Sequence, residues 1–134
     1  MSDRRASWAL VVTVAALALA VRWPWLGYGV TADEAANLSS QSYAAIWADP
    51  ETGVNPPLLR ALVNTLPELW RIPGGRALSL TCGVAAASLV AALASRTSGL
   101  WAGCVAGGLV ALHPVAAQSS AEVRAYAPFM AVAA

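Results

Sequence analysis

The sequence predicts an all-α protein that crosses a membrane several times. Of its 134 residues 58% are hydrophobic and only 11% charged, a balance too apolar for a water-soluble domain. The apolar residues gather into runs of about 20, the length a helix needs to cross a bilayer. Arg22, Trp23 and Trp25 close the first of these runs, where interfacial anchors sit.

Residues 6–26 form the first predicted span, provided that Arg22 snorkels to the interface and Trp23 and Trp25 join an aromatic belt. Arg4 and Arg5 ahead of an apolar run also outline a secretory signal. The run continues past Arg22 without a cleavage site and a polar mature start, so an uncleaved anchor is expected. Residues 77–95 and 100–117 are the second and third spans, the latter with Pro114 near its end. Residues 125–134 begin a fourth that is too short to cross. The chain is therefore expected to be the front part of a longer protein.

Residues 27–76 form the loop between the first two spans. Thr31-Ala-Asp-Glu34 fits a capping box, in which Thr31 caps a helix and Glu34 reaches back to the Thr31 amide. That helix is expected to run to about Trp47 and stop before Asp49-Pro50. A second, amphipathic helix is expected from Pro56-Pro57. Leu58, Leu59, Leu62, Val63, Leu66 and Leu69 would form one apolar face on the membrane surface. Pro73-Gly74-Gly75 reads as a turn that feeds the second span.

Spans two and three are joined by the short stretch SRTSG and form a tight hairpin. Gly99, Gly103 and Gly107, and likewise Gly83, Ala87 and Ala91, recur every four residues, the interval that lets helix backbones approach closely in lipid. Cys82 and Cys104 lie in apolar stretches with no metal-binding spacing and read as buried, inert thiols. The formal net charge of +1, without any basic run, gives no nucleic-acid signature. Charge alone leaves the orientation open. The whole set of arginines favours one sense, and Arg4, Arg5 and Arg96, close to span ends, favour a cytoplasmic N-terminus.

Three polar clusters stand out from this apolar background. They are Asp33-Glu34, Asn55-Pro56-Pro57-Leu58, and Ser120-Ala-Glu122-Val-Arg124-Ala-Tyr126. If consecutive spans cross in opposite senses, all of them face the same side of the membrane. A carboxylate there can take the proton of an attacking hydroxyl. An arginine can hold a phosphate through a bidentate contact. Structural roles compete: Glu34 as a helix cap, Glu122 with Arg124 as an interfacial ion pair, Tyr126 as a belt aromatic, and His113 as a structural residue at a span end.

Taken in order, these stretches resemble the GT-C fold membrane glycosyltransferases. The resemblance is to the branch of the protein mannosyltransferases and the ArnT-like and RgtA/B/C/D-like sugar transferases. The Asp33-Glu34-Ala35 stretch is similar to that branch's first-loop acidic pair. Asn55-Pro56-Pro57-Leu58 stands where many members have His-Pro-Pro-Leu. Gly75-Arg76-Ala77-Leu78-Ser79 resembles their arginine-bearing approach to the second span. Ser120 to Tyr126 keeps the Ser, Glu, Arg and Tyr of Ser-Gln-Glu-Ala-Arg-x-Tyr, with Ala121 in place of glutamine.

The resemblance implies a GT-C-like N-terminal module in the cell membrane, with a cytoplasmic N-terminus and an extracytoplasmic Asp33 loop. It implies inverting transfer of a sugar from a polyprenyl-phosphate donor to a hydroxyl of a glycan, lipid or protein acceptor. Asp33 would be the general base, and Glu34 would orient substrate or help hold a divalent metal. Arg124 would bind the lipid phosphate, and Glu122, Tyr126 and Asn55 would line the substrate pocket. The chain alone, matching only the first part of such enzymes, is expected to be inactive. The alternative is a non-catalytic multi-pass membrane protein or a truncated remnant of such an enzyme.

Overall fold

The computed structural model describes residues 2–31, 34–35, 42–48, 57–123 and 131–133. The described elements are helical and contain no strand. They are α1 (Ser2–Arg22), a 3-10 turn (Trp23–Gly27), α2 (Tyr43–Ala48), α3 (Pro57–Asn64), α4 (Glu68–Ser98), α5 (Leu100–Leu112) and α6 (Pro114–Ala121). The first crossing, over Arg5–Gly27, and α4 are each long and apolar enough to span a membrane. Helices α5 and α6, bent by 58° about their break, make a third span if taken together. The chain is thus a membrane protein by the length and composition of its helices.

Helices α1, α4 and α5 pack around a core of small side chains: Val14, Ala18, Ala87, Ala91 and Ala111. Small residues suit an interface that must be held by close van der Waals contact, since lipid offers no hydrophobic drive between helices. A Cβ on Gly103 would lie 2.7 Å from the Ala91 carbonyl oxygen, and one on Gly107 would lie 2.6 Å from the Ala91 Cβ. The four-residue glycine and alanine spacing therefore does pack the hairpin at Gly103, Gly107, Ala87 and Ala91. Two members differ. Gly83 meets Ser120 of α6, and Gly99, at φ 92°, makes the turn between α4 and α5 with open space around it.

Several expectations are corrected. Pro73-Gly74-Gly75 is no turn, because α4 runs unbroken for 31 residues through it. Pro73 sits near the start of the helix, and the two glycines serve close approach instead. A Cβ on Gly74 would press on Leu66 at 2.6 Å, and one on Gly75 on Val123 at 2.9 Å. The second span thus begins earlier than residue 77. The third is not straight to residue 117, because the chain breaks at His113 ahead of Pro114. His113 has the structural role expected of it: its Nδ1 accepts from the Ala116 amide at 3.3 Å and caps α6.

Arg22 does not snorkel. It is fully buried, and its guanidinium donates to the carbonyls of Ala18 at 3.0 Å, Ala111 at 2.9 Å and Val110 at 3.5 Å. The cause lies in α5. The Val110 carbonyl would accept from residue 114, but a proline there has no N–H. The broken helix leaves its last carbonyls orphaned, and Arg22 supplies the donors from the neighbouring helix.

The loop helices are also redrawn. Ser42 caps α2, its Oγ accepting from the Ala45 amide at 3.2 Å, so this helix starts afresh at Tyr43 and does not run on from Glu34. Helix α3 ends at Asn64, and Leu69 belongs to α4, where it is 90% exposed. The buried face of α3 is Leu59, Arg60 and Val63, while Leu58 and Leu62 point outward. Leu59 and Val63 form a second small core with Val123, flanked by Leu78. Both cysteines are free thiols; Cys82 is half-buried, but Cys104 is exposed on α5 rather than buried.

Candidate functional site

Glu34, Arg76 and Val123, from three separated segments, meet at the end of the bundle where α1 stops and α4 starts. Thr31 and Glu34 form the capping box: the Thr31 amide donates to Glu34 Oε2 at 3.1 Å, and the Glu34 amide donates to Thr31 Oγ1 at 3.3 Å. Glu34 also receives two bonds from Arg76, from Nε to Oε1 at 2.9 Å and from Nη2 to Oε2 at 2.8 Å. That side-on, bidentate geometry is the strong form of the arginine–carboxylate pair. A fourth donor, the Val123 amide, reaches Oε1 at 2.9 Å. One carboxylate thus ties together the first loop, the start of α4 and the segment after α6.

Arg76 completes the tie. Its Nη1 donates to the carbonyls of Leu26 at 2.8 Å and Tyr28 at 2.9 Å, and its Nη2 to that of Gly29 at 3.2 Å. The chain leaving α1 is thereby wrapped around one guanidinium. Burial alone would push the Glu34 carboxyl up; the bonds from Arg76, Val123 and Thr31, with the Arg76 charge, hold it below its ordinary value. Glu34 is fully buried with both oxygens engaged inside the protein. It therefore acts in the capping role the sequence also allowed, with both oxygens accepting from groups of the chain itself.

Beside this knot lies a cavity of about 290 Å³, lined by Trp25, Tyr28, Thr31, Arg76, Gln118 and Glu122. The Trp25 and Tyr28 rings stack at 5.2 Å between centroids, giving the cavity an aromatic wall. Glu122 also lines it, its Oε1 accepting from Gln118 Nε2 at 3.1 Å. A lining that combines aromatic rings with hydrogen-bonding groups suits a ligand with both CH faces and hydroxyl groups.

Glu34 and Glu122 are thus brought to one end of the bundle, as the parity of crossings requires. Asp33, Asn55, Arg124 and Tyr126 lie outside the described residues, although Asp33 is bonded to Glu34 and Arg124 to Val123 in the chain. Among the described residues no group of three His, Cys, Asp or Glu side chains is placed to hold a metal. The sequence shows Arg76 as part of the approach to the second span and names no partner for it. The available signal was a lone arginine at the head of an apolar span, which demands a counter-charge. Gln118, Trp25 and Tyr28 carried no comparable signal. Compared with known proteins, the chain matches no family model, no curated protein and no solved structure.

Proposed function

We propose that this chain is the N-terminal part of a membrane glycosyltransferase of the GT-C type. It would transfer a sugar from a polyprenyl-phosphate donor to an acceptor hydroxyl at the extracytoplasmic face. The observation that supports this reading is the tie made by Glu34. It joins the residue after Asp33 to the residue before Arg124 through one carboxylate, next to a cavity with an aromatic wall and a carboxylate. In the proposal Asp33 takes the acceptor's proton as its oxygen attacks the anomeric carbon. The bond from that carbon to the phosphate oxygen breaks, and polyprenyl phosphate leaves against Arg124. A single displacement inverts the anomeric centre. General-base help of this kind contributes roughly 10²–10⁴-fold.

The test is Asp33→Asn in the intact membrane protein. Transfer is expected to fall by at least about 100-fold, with membrane insertion and melting behaviour unchanged. Transfer within a few-fold of wild type removes Asp33 from the base role. The competing reading, a non-catalytic multi-pass membrane protein, draws on the same ion pair, because a saturated buried pair can hold a bundle together without any chemistry. Absence of transfer by the wild-type protein with a range of polyprenyl-phosphate sugars would favour it.

A further inference from the structure

A second and larger cavity, of about 530 Å³, lies at the opposite end of the bundle, between the first turns of α1 and the last turns of α4. Trp8 and Val11 form one wall, and Leu89, Ala92, Ser95 and Arg96 the other. The α4 residues fall on one stripe at helical spacing. From Leu89 to Arg96 that stripe is about 10 Å long at 1.5 Å per residue. Its inner part carries Leu89 and Ala92 beside Ser88, whose hydroxyl donates to the Val84 carbonyl at 2.8 Å, and its outer end carries Arg96. Helix α5 packs elsewhere on this pair, where Gly103 and Gly107 meet Leu10, Val14 and Ala91, and leaves the groove open. Trp8, 63% exposed, stands at its rim with an indole N–H donor.

We propose that this groove holds one anionic phospholipid, with its phosphate on Arg96 and an acyl chain along α4 toward Leu89. Charge selects this occupant. The carboxylates whose side chains are described, Glu34, Glu68 and Glu122, all belong to the other end of the bundle. At this end the sequence sets Arg4, Arg5 and Arg96 against one acid, Asp3. A further apolar helix laid in the groove would match its length but bring no anion to Arg96. A second copy paired across the same groove would set one Arg96 against another. An anionic phospholipid supplies both an apolar chain and a negative headgroup, spaced as the groove spaces its two parts. The site stands apart from the Glu34–Arg76 end and does not rest on the transferase reading.

The experiment uses the intact protein, purified in a mild detergent and offered phosphatidylglycerol or phosphatidylcholine of the same chain length, with bound lipid read by native mass spectrometry. Wild type is expected to retain one phosphatidylglycerol in preference to phosphatidylcholine. Arg96→Gln, at an exposed position, should fold normally and lose about fivefold of that preference, the share of one basic side chain near an anionic headgroup. Ala92→Trp, which fills the groove, should abolish retention of both lipids. Arg71→Gln, at the far end, should change neither. Equal retention of the two lipids by wild type, or a preference that Arg96→Gln leaves undiminished, overturns the proposal. So does a dimer that Ala92→Trp dissolves, which would place a second copy in the groove.

Discussion

Replacing Glu34 by Gln isolates the charge that holds the two loops to the bundle. The side chain keeps its shape, but one oxygen becomes an NH₂ group. Whichever way the amide is turned, that NH₂ faces donors: Arg76 Nε and the Val123 amide, or Arg76 Nη2 and the Thr31 amide. Three losses overlap. Breaking a buried ion pair costs about 3–5 kcal/mol. Losing half of a capping box costs about 1 kcal/mol. Orphaning a buried amide such as that of Val123 costs about 1–3 kcal/mol. They share one carboxylate and do not add. Arg76 also keeps its bonds to the carbonyls of Leu26, Tyr28 and Gly29. The net expectation is a loss of about 3 kcal/mol, read as reversible unfolding in mixed micelles. The double variant Glu34→Leu with Arg76→Met, which removes both charges, should cost less than Glu34→Gln alone. A loss below about 1 kcal/mol for Glu34→Gln, or a double variant worse than the single one, would refute the view that this pair closes the bundle.

Acid should weaken the same contact. The folded Glu34 carboxyl lies below its ordinary value, so its contribution is complete above about pH 4.3, the unfolded value. That contribution is lost as pH falls through the lower, folded value. Melting temperatures of wild type should therefore drop in that range more steeply than those of Glu34→Gln. Arg22→Met should cost about 2–4 kcal/mol by leaving the Val110 and Ala111 carbonyls without their donor. Adding Pro114→Ala, which returns an N–H to that position, should restore part of the loss in the same unfolding assay. Gly107→Leu should separate α5 from α4 and α1 at a cost of about 1–3 kcal/mol, read in the same unfolding assay.

The legible part of this molecule is what local chemistry determines. The spans follow from runs of apolar residues, the hairpin from small residues every fourth position, and the Thr31–Glu34 box from two side chains three residues apart. Pro73-Gly74-Gly75 misled because those residue types signal a turn in water, whereas here the glycines admit Leu66 and Val123 against the helix. Arg22 misled for a similar reason. An arginine at a span end reads as a water-seeking anchor, and only the distant break at Pro114 explains why it turns inward. At the candidate site, Glu34 and Glu122 were visible as isolated acids. The pairing of Glu34 with Arg76, and a cavity lined by Glu122, Trp25 and Tyr28 beside it, depend on three separated segments meeting. No spacing along the chain encodes that meeting.

The break at His113 also affects the surrounding lipid. At 1.5 Å per residue, the 31 residues of α4 are about 46 Å long and the 13 residues of α5 about 20 Å. A hydrocarbon layer about 30 Å thick matches neither. Helix α5 reaches that thickness only together with the oblique α6, and α4 exceeds it, so the lipid beside α5 is expected to thin and the start of α4 to tilt or stand clear. A membrane of short-chain lipids would relieve this uneven strain, and a thick, sterol-stiffened one would increase it.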